Sequence, residues 1–169
     1  SNNEVARLRD HLEQVRRDAM TDALTNLANR KAFDERLGEA CAEGQKAPLT
    51  LALLDIDHFK TINDTFGHVV GDCVLRQLSA ELRRSLREGD QAGRYGGDEF
   101  CVILPETSQA QACQAMERLR ERVSSYRNPQ LPQLRISLSI GLSPFEANLE
   151  SPEHWLEQAD KALYIAKHA

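Results

Sequence analysis

The chain has no excess of positive charge. Its 21 Lys and Arg stand against 26 Asp and Glu, a net charge of −5. That excludes a broad face for nonspecific nucleic-acid binding, which needs clustered cations. It does not exclude a nucleotide, because a divalent cation can join carboxylates to phosphates. No apolar run approaches the roughly 20 residues of a membrane-spanning helix, and no stretch reads as a signal peptide. Cysteine is scarce: Cys41, Cys73, Cys101 and Cys113, with no C-x-x-C spacing. A zinc site is therefore not expected. Cys73 and Cys101 fall among apolar neighbours and read as reduced core thiols of a cytosolic protein. There is no internal repeat and no low-complexity tract.

What remains is an ordinary globular composition, 41% apolar and 28% charged over 169 residues. One domain with a short extension fits that length. The extension comes first. Val5, Leu8, Leu12, Val15 and Ala19 are spaced 3, 4, 3, 4 on a polar helix covering residues 1–20. The stripe suits a coiled-coil stalk, or a helix packed on its own domain. Thr21 or Asp22 can cap a helix start just after them. "DALTNLANR" (22–30) leads into a helix ending near Gly44, and "PLTLALLDI" (48–56) reads as a buried strand.

A helix from about Phe66 to Leu86 carries Val70, Val74, Leu78 and Leu82 four apart. "QAGRY" and "EFCVILP" read as a hairpin around Gly96-Gly97, where glycine permits the positive φ of a tight turn. Further helices cover about 108–126 and 152–167. The strand "RISLSIGLS" (135–143) puts Ile136, Leu138, Ile140 and Leu142 on one side and serines on the other. The order implies an α/β sandwich around a sheet containing antiparallel strands.

Acids gather at the strand ends. Asp55 and Asp57, two apart, share a face of an extended chain. Asp98 and Glu99 follow the glycine pair in "RYGGDEF" (94–100). If the hairpin neighbours the first strand, Asp55 and Asp98 converge, and two such carboxylates repel unless a cation neutralises them. Glycines there also let a bulky ligand reach the backbone. Singly, a G-G turn or a D-x-D is common on solvated surfaces.

Taken in order, "DALTNLANR", "DIDHFKTIND" (55–64), "GHVVGD" (67–72), "RYGGDEF", "SIG" (139–141) and "ADKALYIAK" (159–167) resemble the GGDEF domains, the diguanylate cyclases. The resemblance covers about Asp22 to Lys167. It implies a ferredoxin-like α/β fold, with a mostly antiparallel central sheet flanked by helices, related to the palm of class III nucleotidyl cyclases. The implied activity condenses two GTP into cyclic di-GMP with Mg²⁺, two ions per site, Mn²⁺ being able to substitute.

Residue by residue, the resemblance makes Asp55, the carbonyl of Ile56, Asp98 and Glu99 metal ligands. Asp98 is also the catalytic residue, as general base for the 3′-hydroxyl, with Glu99 beside it, and Lys60 meets phosphate. Asn63 and Asp72 read guanine. Phe59, Gly96, Gly97 and Lys167 join the GTP site. "REGD" (87–90) matches the family's RxxD inhibitory site, so Arg87 and Asp90, with Arg118 completing it, would bind cyclic di-GMP. Degenerate, non-catalytic members usually lose an acid of the signature, and every one stands here.

The same resemblance implies a homodimer for catalysis, weak in this chain, and an upstream sensor acting through a stalk of residues 1–20, with the catalytic domain in 21–169. The family's closing edge strand is not found in the sequence. Neither nucleic-acid nor membrane contact is expected. The implied location is cytoplasmic, free or as the cytoplasmic part of a membrane-anchored sensor.

Overall fold

The computed structural model describes residues 2–44, 47–149 and 151–169. Helix α1 (Asn2–Met20) buries none of its residues. Val5, Leu8, Leu12 and Val15 are 46% to 68% exposed, so the apolar stripe does not pack on its own domain.

The capping expectation at Thr21–Asp22 is corrected. Asp22 Oδ2 accepts from the amide and the hydroxyl of Thr25 and holds a turn rather than a helix start. Helix α2 (Arg30–Glu43) is capped by Asn29, whose side chain accepts from the Ala32 amide. Asn29 also donates from Nδ2 to the Ala19 carbonyl, 2.8 Å, and from its backbone to the Met20 carbonyl, 3.0 Å. One residue thus opens α2 and grips the end of α1.

The strands are β1 (Leu49–Ile56), β2 (Gln91–Arg94), β3 (Glu99–Pro105) and β4 (Leu138–Pro144). Their order is β2-β3-β1-β4, and all three pairings are antiparallel. Between β1 and β2 run helices α3 (Phe59–Phe66) and α4 (His68–Ser85), and α5 (Gln109–Ser125) connects β3 to β4. This is the ferredoxin-like β-α-β-β-α-β arrangement. Helix α6 (Pro152–Lys167) follows β4.

The sheet is covered on both faces, which explains the unbroken apolar run of β1. Ala52, Leu54 and Ile56 join the core beneath α4 and α5. Leu51 and Leu53 join Phe33 of α2 and Trp155, Ala159 and Leu163 of α6. By the alternation of a strand, Asp55 follows Leu51 and Leu53 onto the α2/α6 side.

Three sequence expectations are revised. Helix α3 precedes α4 where the periodicity shows no element. Gly67, at φ 92°, ends α3 by donating to the Asn63 carbonyl, and α4 starts afresh at His68. The serine side of β4 does not face solvent. Trp155 Nε1 donates to the Ser143 carbonyl at 2.8 Å, and the α6 backbone passes directly over Gly141. Finally, Cys73 is exposed. All four cysteines are free, and Cys101 is the buried one. The inner face of α4 is Val74, Leu75, Leu78 and Leu82.

Candidate active site

Register brings the acids together. Asp55, next to last in β1, lies opposite Glu99 at the start of β3. The Ile56 amide donates to the Asp98 carbonyl at 3.2 Å, which folds the hairpin tip over the end of β1. Lys167, from the last turn of α6, sits 2.6 Å from Asp55 Oδ2. The other oxygen, Oδ1, is buried with no hydrogen-bond partner. Burial pushes the Asp55 carboxyl up to about 6; Lys167 pulls it down, and the neighbouring Asp98 carboxyl pushes it further up. Glu99 is raised too, by burial first and then by Asp55 and Asp160.

An orphaned carboxylate oxygen beside a second carboxylate is the environment that a divalent cation relieves, so these residues fit a hard metal ion. Among the described residues, no group of three or more His, Cys, Asp or Glu side chains is arranged to hold one. The Asp55–Asp98 pair therefore needs other oxygens to complete a shell. Magnesium commonly takes them from water and substrate phosphate.

The glycine pair serves differently from the sequence expectation. Neither Gly96 nor Gly97 adopts a left-handed φ. The turn is closed by the amides of Tyr95 and Gly96, both donating to the Glu99 carbonyl. A Cβ at Gly97 would meet nothing within 4 Å among the described residues. The surface beside the acids is open at Gly97.

Sequence reasoning missed Arg94. Its Nη2 donates to the Gly97 carbonyl at 2.9 Å, and Nη1 lies 3.2 Å from Asp22. Burial alone would raise the Asp22 carboxyl, but the bonds from Thr25 and Arg94 outweigh it and hold it below the usual value. The arginine stands in "RYGGDEF" itself. A strand residue gives no hint that its partner lies 72 positions earlier.

Asp57 has a different role from Asp55. Its two carboxylate oxygens accept from the hydroxyls of Ser137, 2.7 Å, and Ser139, 2.6 Å. Its amide donates to the Ser137 carbonyl. This clamp holds the bend in which His58 takes φ 53° and starts α3. Asp57→Asn should lower stability by about 1–2 kcal/mol, because one hydroxyl then faces an amide donor. Unchanged urea unfolding would show that the clamp contributes nothing.

Phe59, Lys60 and Asn63 all lie on α3. Lys60 is exposed at its first turn, and Asp72 is exposed near the start of α4. Gly71, just before Asp72, is the second missed position. A Cβ on Gly71 would overlap the Asn63 amide group and approach Phe59 Cζ to 3.4 Å. Gly71 therefore lets Asn63 lie flat against α4, one residue from Asp72.

Arg87 and Asp90 are elsewhere, in the turn between α4 and β2. Asp90 is 4% exposed at its side chain and accepts from the Arg87 amide at 2.9 Å. Arg87 Nη2 also donates to the Pro105 carbonyl and the Thr107 hydroxyl. Pro105 is at the far end of β3 from Glu99, so the two places are about 20 Å apart along the strand. Arg118 is exposed on α5, and it does not line the hollow that Arg87 and Asp90 line.

Residues 19–169 match the family described as diguanylate cyclase, GGDEF domain. The curated "Diguanylate cyclase DgcP" of Pseudomonas aeruginosa is 47% identical over 163 residues, 94% of this chain but 24% of that protein. The "Response regulator PleD" of Caulobacter vibrioides is 40% identical over 169 residues, 95% of this chain and 36% of that protein. The chain thus spans well under half the length of these curated relatives. Among solved structures, the coiled coil and GGDEF domain of DgcB from Caulobacter crescentus, in complex with c-di-GMP, superposes with a TM-score of 0.92 at 44% identity. That match covers 99% of this chain and 90% of the other. With the matched region spanning both the Asp55–Asp98 site and the Arg87–Asp90 turn, the chain belongs to the GGDEF-domain family of diguanylate cyclases.

Proposed function

We propose that this chain is a diguanylate cyclase module. Each domain holds one GTP, and two domains facing each other join their substrates into cyclic di-GMP with release of two pyrophosphates. The observation that carries the reading is the Asp55–Asp98 pair, with its orphaned oxygen, beside the open surface at Gly97.

In each half-reaction the 3′-hydroxyl of one GTP forms a bond to the α-phosphorus of the other, and the bond from that phosphorus to pyrophosphate breaks. Asp98 takes the hydroxyl proton as general base. Magnesium ions, two per site and replaceable by Mn²⁺, would be held by Asp55, Asp98, Glu99 and the Ile56 carbonyl; when bound they lower the hydroxyl pKa and neutralise phosphate charge. Lys60 and Lys167 place fixed cations against the phosphates. The Asp72 carboxylate accepts from the N1–H and N2 donors of guanine, and Asn63 meets its O6. Adenine cannot satisfy that pair, so the site rejects it. Phe59, Gly96 and Gly97 pack against the nucleotide.

One set of acids per domain makes a homodimer necessary for turnover. The exposed stripe of α1 offers the means, and an upstream sensor would act through it. In isolation a helix this short pairs weakly, so activity should rise with protein concentration.

The test is to incubate the chain with GTP and Mg²⁺ at high concentration and separate the nucleotides by chromatography. Cyclic di-GMP from GTP, with none of the analogous product from ATP, is the expected result. Binding of product without turnover at any concentration would make the chain a receptor and overturn the reading. Gly71→Ala, which pushes Asn63 from its place, should raise KM for GTP by about tenfold or more. An unchanged KM would remove Asn63 from guanine recognition.

A further inference from the structure

The hairpin tip that carries Asp98 has few side chains with which to hold itself. Gly96 and Gly97 stand directly before the acid. The loop closes on the Glu99 carbonyl, which accepts from the Tyr95 amide at 2.8 Å and from the Gly96 amide at 3.2 Å. The place of Asp98 is therefore set largely by the residues at the base of the loop. Arg94 is one, through its bond to the Gly97 carbonyl. Tyr95 is another, and nothing in the proposed chemistry uses its side chain.

Tyr95 faces α2. Two residues before it, a Cβ on Gly93 would come within 2.9 Å of Phe33 Cδ1. Helix α2 thus packs close over β2, and strand alternation turns Tyr95 to the same side. Three contacts fix its ring. Phe33 meets it edge to face, with centroids 6.2 Å apart. The Arg30 guanidinium lies over it, 4.4 Å from the centroid. The Tyr95 hydroxyl donates to Asp34 Oδ1 at 2.8 Å. Arg30 and Asp34 are four apart, so they share one face of α2 and hold the ring between them. The face of the ring and its far end are both tied, and only the hydroxyl bond fixes the far end.

We infer that Tyr95 is a positioning residue for the cyclase reaction: tied to Asp34 and stacked under Arg30, it sets the spacing of Asp98 from Asp55. The inference rests on reading that pair as the metal site of a cyclase. Without the hydroxyl bond the ring still packs on Phe33, but it can pivot. The Tyr95 amide pivots with it and carries the Glu99 carbonyl and the tip. A shift of about 1 Å at a reacting centre can cost about a hundredfold in rate. The residues assigned to guanine, Asn63 and Asp72, lie on α3 and α4 and share no contact with this cluster. Loss of the bond should therefore weaken the metal site and slow the chemistry while leaving GTP recognition intact.

The experiment compares wild type with Tyr95→Phe, Asp34→Ala and Asp34→Asn. Phenylalanine keeps the ring packing, and Asp34 is exposed, so folding is not at stake. The first readout is the Mg²⁺ concentration that gives half of the rise in melting temperature, measured without nucleotide. The second is kcat and the KM for GTP at saturating Mg²⁺. Tyr95→Phe and Asp34→Ala should each need about tenfold more Mg²⁺ and lose about tenfold in kcat, with KM for GTP unchanged. Asp34→Asn, whose Oδ1 still accepts from the hydroxyl, should behave as wild type. A wild-type Mg²⁺ midpoint in Tyr95→Phe and Asp34→Ala would overturn the inference and leave a packing contact, whatever their melting temperatures. Equal losses in Asp34→Asn and Asp34→Ala would overturn it as well, because the charge and not the bond would then be at work. If none of the proteins forms cyclic di-GMP, the proposed function fails, and the Mg²⁺ midpoints still decide whether Tyr95 places the acids.

Discussion

Asp55→Asn will cost about a thousandfold or more in cyclic di-GMP formation, yet leave the chain as stable as before or more so. The loss follows from the metal site proposed at Asp55, where one carboxylate charge would account for several kcal/mol of transition-state stabilisation. The stability gain follows from linkage. The carboxyl titrates at about 6 in the fold against an ordinary value of 3.8. Below pH 3.8 it is protonated in both the folded and the unfolded chain, and it costs nothing. The cost grows as pH rises from 3.8 to about 6 and is fully present at about pH 7. Asparagine removes it, and Lys167, partly exposed, can turn to water. Thermal melts in EDTA near neutral pH measure this. A variant that melts clearly below wild type would mean that the Lys167 pair outweighs the burial. Added Mg²⁺ should raise the melting temperature of wild type but not of the variant, since binding to the folded state alone stabilises it.

Gly141→Ala should be the most damaging small substitution in the chain, lowering stability by about 3 kcal/mol or more. The added Cβ would meet the Ala159 carbonyl oxygen and the Leu163 amide nitrogen well inside contact distance. Both are backbone atoms of α6 and cannot swing aside. If α6 lifts, the Trp155–Ser143 bond goes, and Lys167 is drawn away from Asp55. Urea unfolding gives the number. A midpoint equal to that of wild type would mean that α6 slides without loss. Gly97→Ala is the control, because its Cβ enters open space. It should fold normally while narrowing the surface beside the acids.

Periodic and contiguous features were legible in the sequence. The run of β1, the spacing of Val74, Leu78 and Leu82 on α4, and the heptad stripe of α1 all reappear as expected. So does the convergence of Asp55 with Asp98, because strand alternation and a short hairpin leave few arrangements. Contacts across long gaps were invisible: Asp22 with Arg94, and Asp57 with Ser137 and Ser139. Short elements were lost as well. Eight residues of α3 give barely two turns of pattern, and Gly67 reads equally well as a loop. The glycines of the signature were legible only in part, because sequence cannot separate a glycine needed for φ from one needed for room. Gly67, at φ 92°, is of the first kind; a Cβ at Gly96 would press on Glu99 Oε1, and one at Gly97 would meet nothing within 4 Å.

The central place of β1 has a price during synthesis. Leu54 pairs with Phe100 on one side and with Ile140 on the other, 86 residues further on. At a ribosomal rate of roughly 5–20 residues per second, β1 waits roughly 4 to 17 seconds for its last neighbour. Through that interval an eight-residue strand, apolar on both faces, lacks a partner along one edge. Such segments are the ones that recruit other nascent chains. The strand that holds Asp55 in place is therefore also the stretch whose exposure decides how much of the newly made protein reaches the folded state.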